Sequence, residues 1–141
     1  MFSVVSSNSE PHHLKQLREW FVVEWGQIDP FETTKYGFIV PSPLLVIDGQ
    51  KLLGGLAFTR YPISGNEEMQ LWINALLVAP EHRGIGIGSL LIQAAEIEAA
   101  RIKEKELFVY TNAPELYQKL GWLNVDSSAE YIVLKRVVEN R

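Results

Sequence analysis

The chain reads Val78-Ala-Pro-Glu-His-Arg-Gly-Ile-Gly-Ile-Gly-Ser89 between an apolar run at residues 71–78 and a helical pattern at residues 90–101. We therefore predict a buried strand, a glycine-rich turn and the start of a helix, in that order. Glycines let the backbone approach a ligand closely, and the first N–H groups of a helix have no partner within it. The helix dipole adds partial positive charge at the same end. This stretch therefore predicts a site for a phosphorylated ligand.

The spacing of the glycines excludes two common phosphate-binding loops. A dinucleotide-binding loop needs Gly-x-Gly-x-x-Gly, but counting from Gly84 or from Gly86 puts Ser89 or Leu91 at the last position. A P-loop needs a lysine followed by Ser or Thr after its second glycine, and this turn has neither. Residues 83–88 read instead Arg-x-x-Gly-x-Gly.

This Arg-x-x-Gly-x-Gly pattern, with Val-x-Pro at residues 78–80 before it, resembles the acetyl-CoA-binding signature of the GCN5-related N-acetyltransferases (GNAT). The alternative is a tight structural turn with spare glycines. The resemblance implies that backbone N–H groups of the turn hold the coenzyme pyrophosphate. Those residues are Arg83, Gly84, Ile85, Gly86, Ile87, Gly88 and Ser89. The Arg83 side chain either adds charge to the phosphates or is a surface arginine on a turn.

The same resemblance assigns a role to the strand before the turn. In the family this strand splays away from its neighbour, and its free N–H groups pair with the pantetheine arm and face the developing oxyanion. The corresponding residues here are Leu76, Leu77 and Val78.

A second motif, Leu116-Tyr-Gln-Lys-Leu-Gly-Trp122, resembles the late Leu/Phe-Tyr-x-x-Leu-Gly-Phe block of the same family. In the family this tyrosine lies beside the coenzyme sulfur. A tyrosine with its usual pKa of about 10 is neutral at pH 7, so Tyr117 is the predicted general acid for the departing thiolate. The alternative is that Tyr117 only packs against the coenzyme. Asn112 matches a family Asn that contacts the coenzyme, but the segment from it to Tyr117 is two residues shorter here. We therefore prefer a role for Asn112 in capping the next helix.

The general base is not marked by an obvious carboxylate. The implied reaction is attack by a free amine, and an amine is mostly protonated at pH 7. Many family members place a glutamate on the strand before the turn or on the following strand. Those positions here hold Trp72, Asn74, Ala75, Phe108 and Tyr110. The predicted substitutes are Glu68 or a water held by Asn74, with Glu24 as a weaker candidate. Each of them is alternatively a surface or capping group.

The composition is typical of one compact cytoplasmic domain. The chain has 141 residues, of which 47% are hydrophobic, and we expect residues 1–141 to form a single domain. It has no apolar run long enough to cross a bilayer, no secretion signal and no cysteine. A net charge of −4 without a basic stripe argues against nucleic-acid binding. We therefore expect a cytoplasmic protein with neither nucleic-acid nor membrane partners.

The predicted order of elements is strand, helices, three strands, helix, strand, helix, two strands. This order predicts an α/β (α+β) fold with a mixed, mainly antiparallel sheet and helices on both faces, and it matches the GNAT acyl-CoA N-acyltransferase fold. In detail, Ser9 is the predicted N-cap of a helix that contains Pro11 and ends near Gly26. A short second helix is predicted from Asp29, and a hairpin across residues 44–60.

The acceptor would be recognised, as the resemblance implies, by residues 25–38 and 124–130. These segments, with Glu24 beside them, carry aromatic and acidic side chains: Trp25, Phe31, Tyr36, Phe38, Glu24, Asp29, Glu32, Asp126 and Glu130. Such a mixture suits a cationic amine with an apolar body, such as a polyamine, an aminoglycoside, a basic amino acid or a peptide N-terminus. The alternative, which we slightly prefer, is that the aromatics are core residues and the acids are solvated.

No metal site is expected. His12 and His13 are adjacent, so on a helix their side chains point about 100° apart and should not hold one ion. The sequence thus predicts an N-acetyltransferase that moves the acetyl group of acetyl-CoA to a primary amine of a small molecule or peptide, by direct attack in a ternary complex. It would act without a metal, and a homodimer is possible. The alternative is a non-catalytic acyl-CoA-binding module, which the missing carboxylate favours.

Overall fold

The computed structural model describes residues 2–26, 34–35, 37–63 and 68–138. Three helices lie in these ranges: α1 (Pro11–Trp25), α2 (Ile87–Arg101) and α3 (Glu115–Lys119). The strands are β1 (Ser3–Ser6), β2 (Thr34–Lys35), β3 (Phe38–Ile39), β4 (Leu44–Asp48), β5 (Lys51–Pro62), β6 (Met69–Val78), β7 (Glu106–Thr111), β8 (Leu123–Ser127) and β9 (Ile132–Val137). Short 3₁₀ turns occupy Ser7–Ser9 and Pro80–His82.

Seven strands form one sheet in the order β1-β4-β5-β6-β7-β9-β8, and β2 pairs with β3 in a separate small hairpin. Within the large sheet only β6 and β7 are parallel, and every other neighbouring pair is antiparallel. The predicted α/β class and mainly antiparallel sheet are therefore confirmed. None of the helices in the described ranges combines the length and apolarity needed to span a membrane.

The two long helices cover opposite faces of this sheet. Leu17 and Phe21 of α1 are fully buried in a cluster that includes Leu45 of β4. The next residue along β4, Val46, belongs to a second cluster with Leu91 of α2. Successive side chains of a strand point to opposite faces, so α1 and α2 lie on opposite sides.

Adjacent glycines on β5 allow close packing on both faces. A Cβ atom at Gly55 would lie 2.5 Å from the Cδ2 atom of Leu17, on α1. A Cβ atom at Gly54 would lie 2.9 Å from the Leu77 carbonyl oxygen and 3.3 Å from the Cγ2 atom of Ile87, the first residue of α2. A larger residue at Gly55 would push α1 away from the sheet, and one at Gly54 would press against the backbone of β6 and the start of α2.

The start of α1 differs from the prediction. Ser9 lies in a 3₁₀ turn, where its hydroxyl donates to the Ser6 carbonyl at 3.1 Å. The N-cap is Glu10, whose side chain makes no capping hydrogen bond, and the predicted Ser9 cap is therefore wrong. The turn satisfies these groups locally, as short polar side chains often do. Pro11 opens the helix and Gly26 follows its last residue with a φ of +83°, both as predicted.

The predicted hairpin is present, and a smaller one was not predicted. Strands β4 and β5 pair through Asp48 and Lys51, which leaves a two-residue loop at residues 49–50. The unpredicted hairpin joins β2 and β3, and Arg60 holds it to the sheet. Arg60 is buried, donates from Nε to the Ile39 carbonyl at 2.8 Å, and lies over the Phe38 ring. The helix predicted from Asp29 lies outside the described residues.

Candidate active site

The central strands β6 and β7 pair only at their first halves. Their parallel ladder joins residues 71–73 to residues 107–109, whereas β6 continues to Val78 along β5. Alternate residues of a strand direct their N–H and C=O groups to one side or the other. Beyond Ile73, the groups of β6 that point toward β7 therefore have no described strand to pair with.

A β-bulge at Asn74 marks the point of divergence. The register of β6 against β5 skips Asn74, since Ala57 pairs with Ala75 and Phe58 with Ile73. Ile73 packs in the core cluster under α2, but Ala75 packs in the cluster under α1. Two residues apart on a regular strand would share a face, so the bulge reverses the alternation. It also leaves the Asn74 side chain exposed at the gap.

The gap between the two strands is a cleft of about 320 Å³. Its lining comes from the end of α1, from β6, from β7 and the turn after it, from α3, and from the residue just before β9. The lining residues are Trp25, Ile73, Asn74, Ala75, Leu76, Val109, Tyr110, Thr111, Asn112, Ala113, Leu116, Tyr117 and Tyr131. Asn74, Leu76, Asn112 and Tyr117, all singled out from the sequence, thus meet in one cavity. None of these described lining residues is an Asp, Glu or His.

The glycine-rich turn has the backbone conformation that its sequence predicts. Gly84 and Gly86 have φ values of +83° and +90°, a region that residues with a Cβ atom rarely adopt. The first hydrogen bond of α2 runs from Leu90 N to the Gly86 carbonyl at 3.0 Å. The N–H groups of residues 87–89 therefore have no acceptor within the helix. This is the backbone geometry that an anion site requires.

Arg83 has at least a structural role in this turn. Its Nε atom donates to the Val78 carbonyl at 2.9 Å, while the residue itself remains exposed. This bond joins the end of β6 to the far side of the turn. Contact between Arg83 and a phosphate stays a prediction.

Gly88 brings the two sequence motifs together. A Cβ atom at Gly88 would lie 3.2 Å from the Cδ2 atom of Leu116, which is tighter than ordinary contact. The glycine therefore allows α3 to approach the first turn of α2. Leu116 is followed by Tyr117, so the predicted acid is held near the predicted phosphate site.

Tyr117 is buried against an indole ring. Only 5% of the residue is exposed, and its ring packs edge-on against Trp122 with centroids 5.1 Å apart. Burial raises the pKa of the Tyr117 hydroxyl well above its usual range, because the charged phenolate would lose its hydration. The hydroxyl therefore stays protonated throughout the neutral range, and for the same reason it gives up its proton less readily than a solvated tyrosine.

A buried carboxylate that sequence reasoning missed anchors this pair. Glu96 of α2 is 2% exposed and accepts hydrogen bonds from Trp122 Nε1 at 3.1 Å and from Arg136 Nε at 3.3 Å. Arg136 also donates from Nη1 to the Gly121 carbonyl at 3.0 Å. The available signal was a Glu among the apolar positions of a helix whose other buried residues are Ile87, Leu91, Ile92, Ala95 and Ala99.

The three candidates for the base role differ in how close they lie to the cleft. Asn74 lies in the cleft, but Glu68 is exposed at the opposite end of β6, six residues away and therefore about 20 Å along the strand. Glu24 is exposed and does not line the cleft, although its neighbour Trp25 does. The structure thus brings neither glutamate to Tyr117.

Asn112 lines the cleft and does not cap α3. The N-cap of α3 is Pro114, with no side-chain capping bond. The Thr111 hydroxyl accepts the Ala113 N–H at 3.0 Å and makes the turn instead. The preferred interpretation of Asn112 as a helix cap is therefore wrong, and a contact with the coenzyme stays a prediction.

The aromatic residues at the acceptor side are only partly those predicted. Trp25 lines the cleft, whereas Phe38 packs against Arg60. Tyr110 and Tyr131 line it as well, with rings stacked 4.7 Å apart. Asp126 is exposed on β8 and is not a lining residue. The remaining candidates lie outside the described residues: Asp29, Phe31, Glu32, Tyr36 and Glu130.

The geometric argument against a histidine cluster is wrong. The rings of His12 and His13 lie 4.0 Å apart, and one ligand atom from each lies within 4.8 Å of the others and of a Glu10 oxygen. The two residues are in the first turn of α1, where the rings can turn toward each other. The positive end of the helix dipole opposes a cation there. The absence of a metal remains an expectation.

Comparisons with known proteins agree with this architecture. A family model described as "Acetyltransferase (GNAT) domain" matches residues 41–122, more than half of the chain. An aminoglycoside 6'-N-acetyltransferase complexed with coenzyme A has a TM-score of 0.71 at 18% identity, over 100% of this chain and 98% of that one. Naa50 from Arabidopsis thaliana, complexed with the bisubstrate analogue CoA-Ac-MVNAL, has a TM-score of 0.68 at 17% identity, over 96% and 97%.

A third neighbour is much longer than this chain. N-acetylglutamate synthase from Neisseria gonorrhoeae, complexed with coenzyme A and N-acetyl-glutamate, has a TM-score of 0.70 at 15% identity. The match covers 99% of this chain but 36% of that enzyme, so the chain spans about a third of its length. No curated protein sequence matches the chain. The structural likenesses show the fold, and the family model shows the family. The chain belongs to the GNAT acetyltransferase family.

Proposed function

We propose that this protein is an acetyl-CoA-dependent N-acetyltransferase that transfers the acetyl group to a primary amine in a ternary complex. The observation that carries the proposal is the cleft between β6 and β7. One cavity contains the edge of β6 beyond its ladder with β7 and a buried neutral tyrosine, and the end of β6 leads from it into the glycine-rich turn, which we propose as the anion site. The coenzyme complexes among the structural neighbours support the same substrate.

The coenzyme would bind mainly through the backbone. Its pyrophosphate would accept hydrogen bonds from N–H groups of residues 83–89, since the start of α2 leaves the N–H groups of residues 87–89 without a helical acceptor. The Arg83 N–H already donates to the Pro80 carbonyl at 3.4 Å, so it would have to share or exchange that partner. Its pantetheine amides would pair with the free edge of β6 at residues 76–78, as an added strand does. Asn112 would add a polar contact at the end of β7. This arrangement would bring the thioester beside Tyr117.

The chemistry would then need three groups. The amine nitrogen forms a bond to the thioester carbonyl carbon, and the carbon–sulfur bond breaks as the tetrahedral species collapses. Strand-edge N–H groups of β6 stabilise the negative charge on the carbonyl oxygen. The Tyr117 hydroxyl donates its proton to the departing sulfur, the amine proton leaves to water, and the Tyr117 phenolate takes a proton back from water before the next cycle.

Water held by Asn74 is our proposed route for the amine proton. An amide side chain cannot take up a proton at neutral pH, but its oxygen can orient a water molecule next to the attacking nitrogen. Glu68 lies about 20 Å along the strand from this position, so we leave it out of the mechanism. The reaction then depends on the fraction of acceptor that is already deprotonated.

The first experiment is to measure the release of free coenzyme thiol from acetyl-CoA across a panel of amines and peptides, with mass spectrometry of the acetylated product. The expected result is amide formation at the rate of thiol release. A second candidate is a non-catalytic acyl-CoA-binding module, and the lack of a carboxylate among the described lining residues favours it. Calorimetric binding of acetyl-CoA without any amide product would support that module and contradict the enzyme.

Three broader proposals rest on composition. We propose that residues 1–141 form one domain, that the protein acts in the cytoplasm as a monomer or homodimer, and that it uses no metal. The absence of cysteine favours the cytoplasm, and a length of 141 residues suits one domain. Gel filtration with light scattering would determine the oligomeric state, and activity after chelation would test the absence of a metal.

A further inference from the structure

The residues that line the cleft come from both faces of the sheet. Leu116 and Tyr117 approach it from the α2 side, where both pack with the core cluster under that helix. Val109 belongs to the same cluster, so its neighbour Tyr110 points to the α1 side. Trp25, the last residue of α1, lines the cleft on that side too. One end therefore carries the predicted acid, and the other carries aromatic rings.

We call Trp25, Tyr110 and Tyr131 the aromatic mouth. Trp25 is 48% exposed and Tyr110 is 57% exposed, although both line a cavity. The rings of Tyr110 and Tyr131 are nearly parallel, with an interplanar angle of 24°. Large aromatic faces left accessible around a cavity are available to a ligand, since covering them removes apolar surface from water.

The polar groups of the cleft are uncharged in its described part. The thirteen lining side chains include hydroxyls and amides but no Asp, Glu, Lys, Arg or His. A ligand with several ammonium groups would lose hydration there without a counter-charge from these residues. A single amine fits better, because the one nitrogen that attacks must lose its proton first, and a molecule without further ammonium groups brings no other charge into the uncharged part of the cleft.

We infer that the acceptor is a primary monoamine joined through a short alkyl link to an aromatic ring. Its ring would stack in the aromatic mouth while its amine reaches Asn74 and the thioester. Stacking with offset or tilted rings is favourable between aromatic groups beyond the area that they bury. This inference rests on the proposed function and names the substrate class for the same site.

The test compares probe amines on the purified full chain with saturating acetyl-CoA. 2-Phenylethylamine and tryptamine represent the inferred class, n-butylamine has no ring, and spermidine and kanamycin are polycations. We expect kcat/KM for 2-phenylethylamine, calculated on the concentration of unprotonated amine, to exceed those for n-butylamine and spermidine by about tenfold, which is the effect of one aromatic contact. A preference for spermidine or kanamycin would overturn the inference and point to charged groups of residues 27–33 or 128–130.

Variants of the aromatic mouth test whether it binds the ring of the acceptor or only supports the fold. Tyr110→Ala should raise KM for 2-phenylethylamine about tenfold, and Tyr110→Phe should restore it, because the ring carries the contact. KM for n-butylamine and for acetyl-CoA should change little. Tyr61→Ala is the matched control, since Tyr61 is a 55% exposed tyrosine outside the cleft. An equal loss for both amines in Tyr110→Ala would contradict ring recognition.

A binding measurement separates this inference from the proposed function. Calorimetry of 2-phenylethylamine with the coenzyme-saturated protein should show binding that weakens about tenfold in Tyr110→Ala. Acetylation of the panel without a preference for ring-bearing amines would overturn only the inference. Failure to acetylate any amine, with acetyl-CoA bound, would overturn the proposed function and the inference with it.

Discussion

The two ends of the cleft are built from different parts of the polypeptide. The end on the α2 side leads to a turn made of contiguous backbone, with glycines in left-handed conformations and the first N–H groups of a helix. The end on the α1 side is made of aromatic side chains from α1, from β7 and from the residue just before β9. A ligand held by backbone leaves a readable pattern in one short stretch. A ligand held by side chains from distant elements leaves no contiguous pattern.

The largest effect should come from breaking the backbone end. Gly86→Val places a β-branched residue at a φ of +90°, which disfavours the turn and removes the donors that it presents. We expect acetyl-CoA binding to fall more than about 100-fold, the equivalent of roughly 3 kcal/mol. Calorimetry would measure this loss.

Gly49→Val is the matched control for Gly86→Val. Gly49 also has a positive φ, of +61°, but it lies in the β4–β5 hairpin. It should lower the melting temperature without weakening coenzyme binding. Equal losses of affinity in both variants would mean that general instability, rather than the turn, accounts for the result.

The next largest effect should come from Tyr117, the proposed general acid between the two ends of the cleft. Tyr117→Phe removes the proton donor but keeps the ring that packs on Trp122, so kcat should fall by about 100-fold while the affinity for acetyl-CoA changes little. Steady-state kinetics and calorimetry would separate the two quantities. Tyr61→Phe serves as the control on β5. Unchanged kcat in Tyr117→Phe would assign this tyrosine to packing alone.

A pH profile tests the acceptor end without any mutation. Below the pKa of the acceptor amine, kcat/KM should rise about tenfold per pH unit as the reactive free amine increases. Because burial raises the pKa of Tyr117, its protonated, active form persists as the pH rises. No alkaline loss is therefore expected below about pH 10, the usual pKa of a tyrosine. A flat profile across the neutral range would argue against rate-limiting attack by free amine.

The smallest effect on kcat is expected from Glu96, which contacts Trp122, the residue that packs against Tyr117. Glu96→Gln keeps the shape but removes the charge that Trp122 and Arg136 contact, at a cost of about 1.5–3 kcal/mol in the free energy of unfolding. If the indole also positions Tyr117, kcat should fall several-fold at unchanged KM for acetyl-CoA. Glu98→Gln, on the same helix but paired with the exposed Arg101, should change neither quantity. Lower stability with unchanged kcat would limit Glu96 to a structural role.

Local sequence patterns predicted helix boundaries well where a proline or glycine restricts the backbone at that residue. Pro11 and Gly26 mark the start and the end of α1 through backbone constraints that act within a few residues, and the structure has both where they were predicted. Ser9 and Asn112 failed as caps because neighbouring polar groups compete for the same backbone atoms. Ser9 bonds back to Ser6, and the turn before α3 is made by Thr111. Several short polar side chains near a helix start can bond to the same backbone groups, and the local sequence does not show which of them will do so.

By itself, the sequence determined the glycine-rich turn, the Tyr117 motif and the order of helices and strands, which predicted a mainly antiparallel α/β fold. Each depends on residues close together in the chain, where φ preferences and hydrophobic period act directly. Only the tertiary structure decided the bulge at Asn74, the contacts of Glu96 with Trp122 and Arg136, and the aromatic mouth. Glu96 and Arg136 are forty residues apart, and Trp25 and Tyr131 come from nearly opposite ends of the chain. Such contacts depend on how strands and helices pack, which no local pattern encodes.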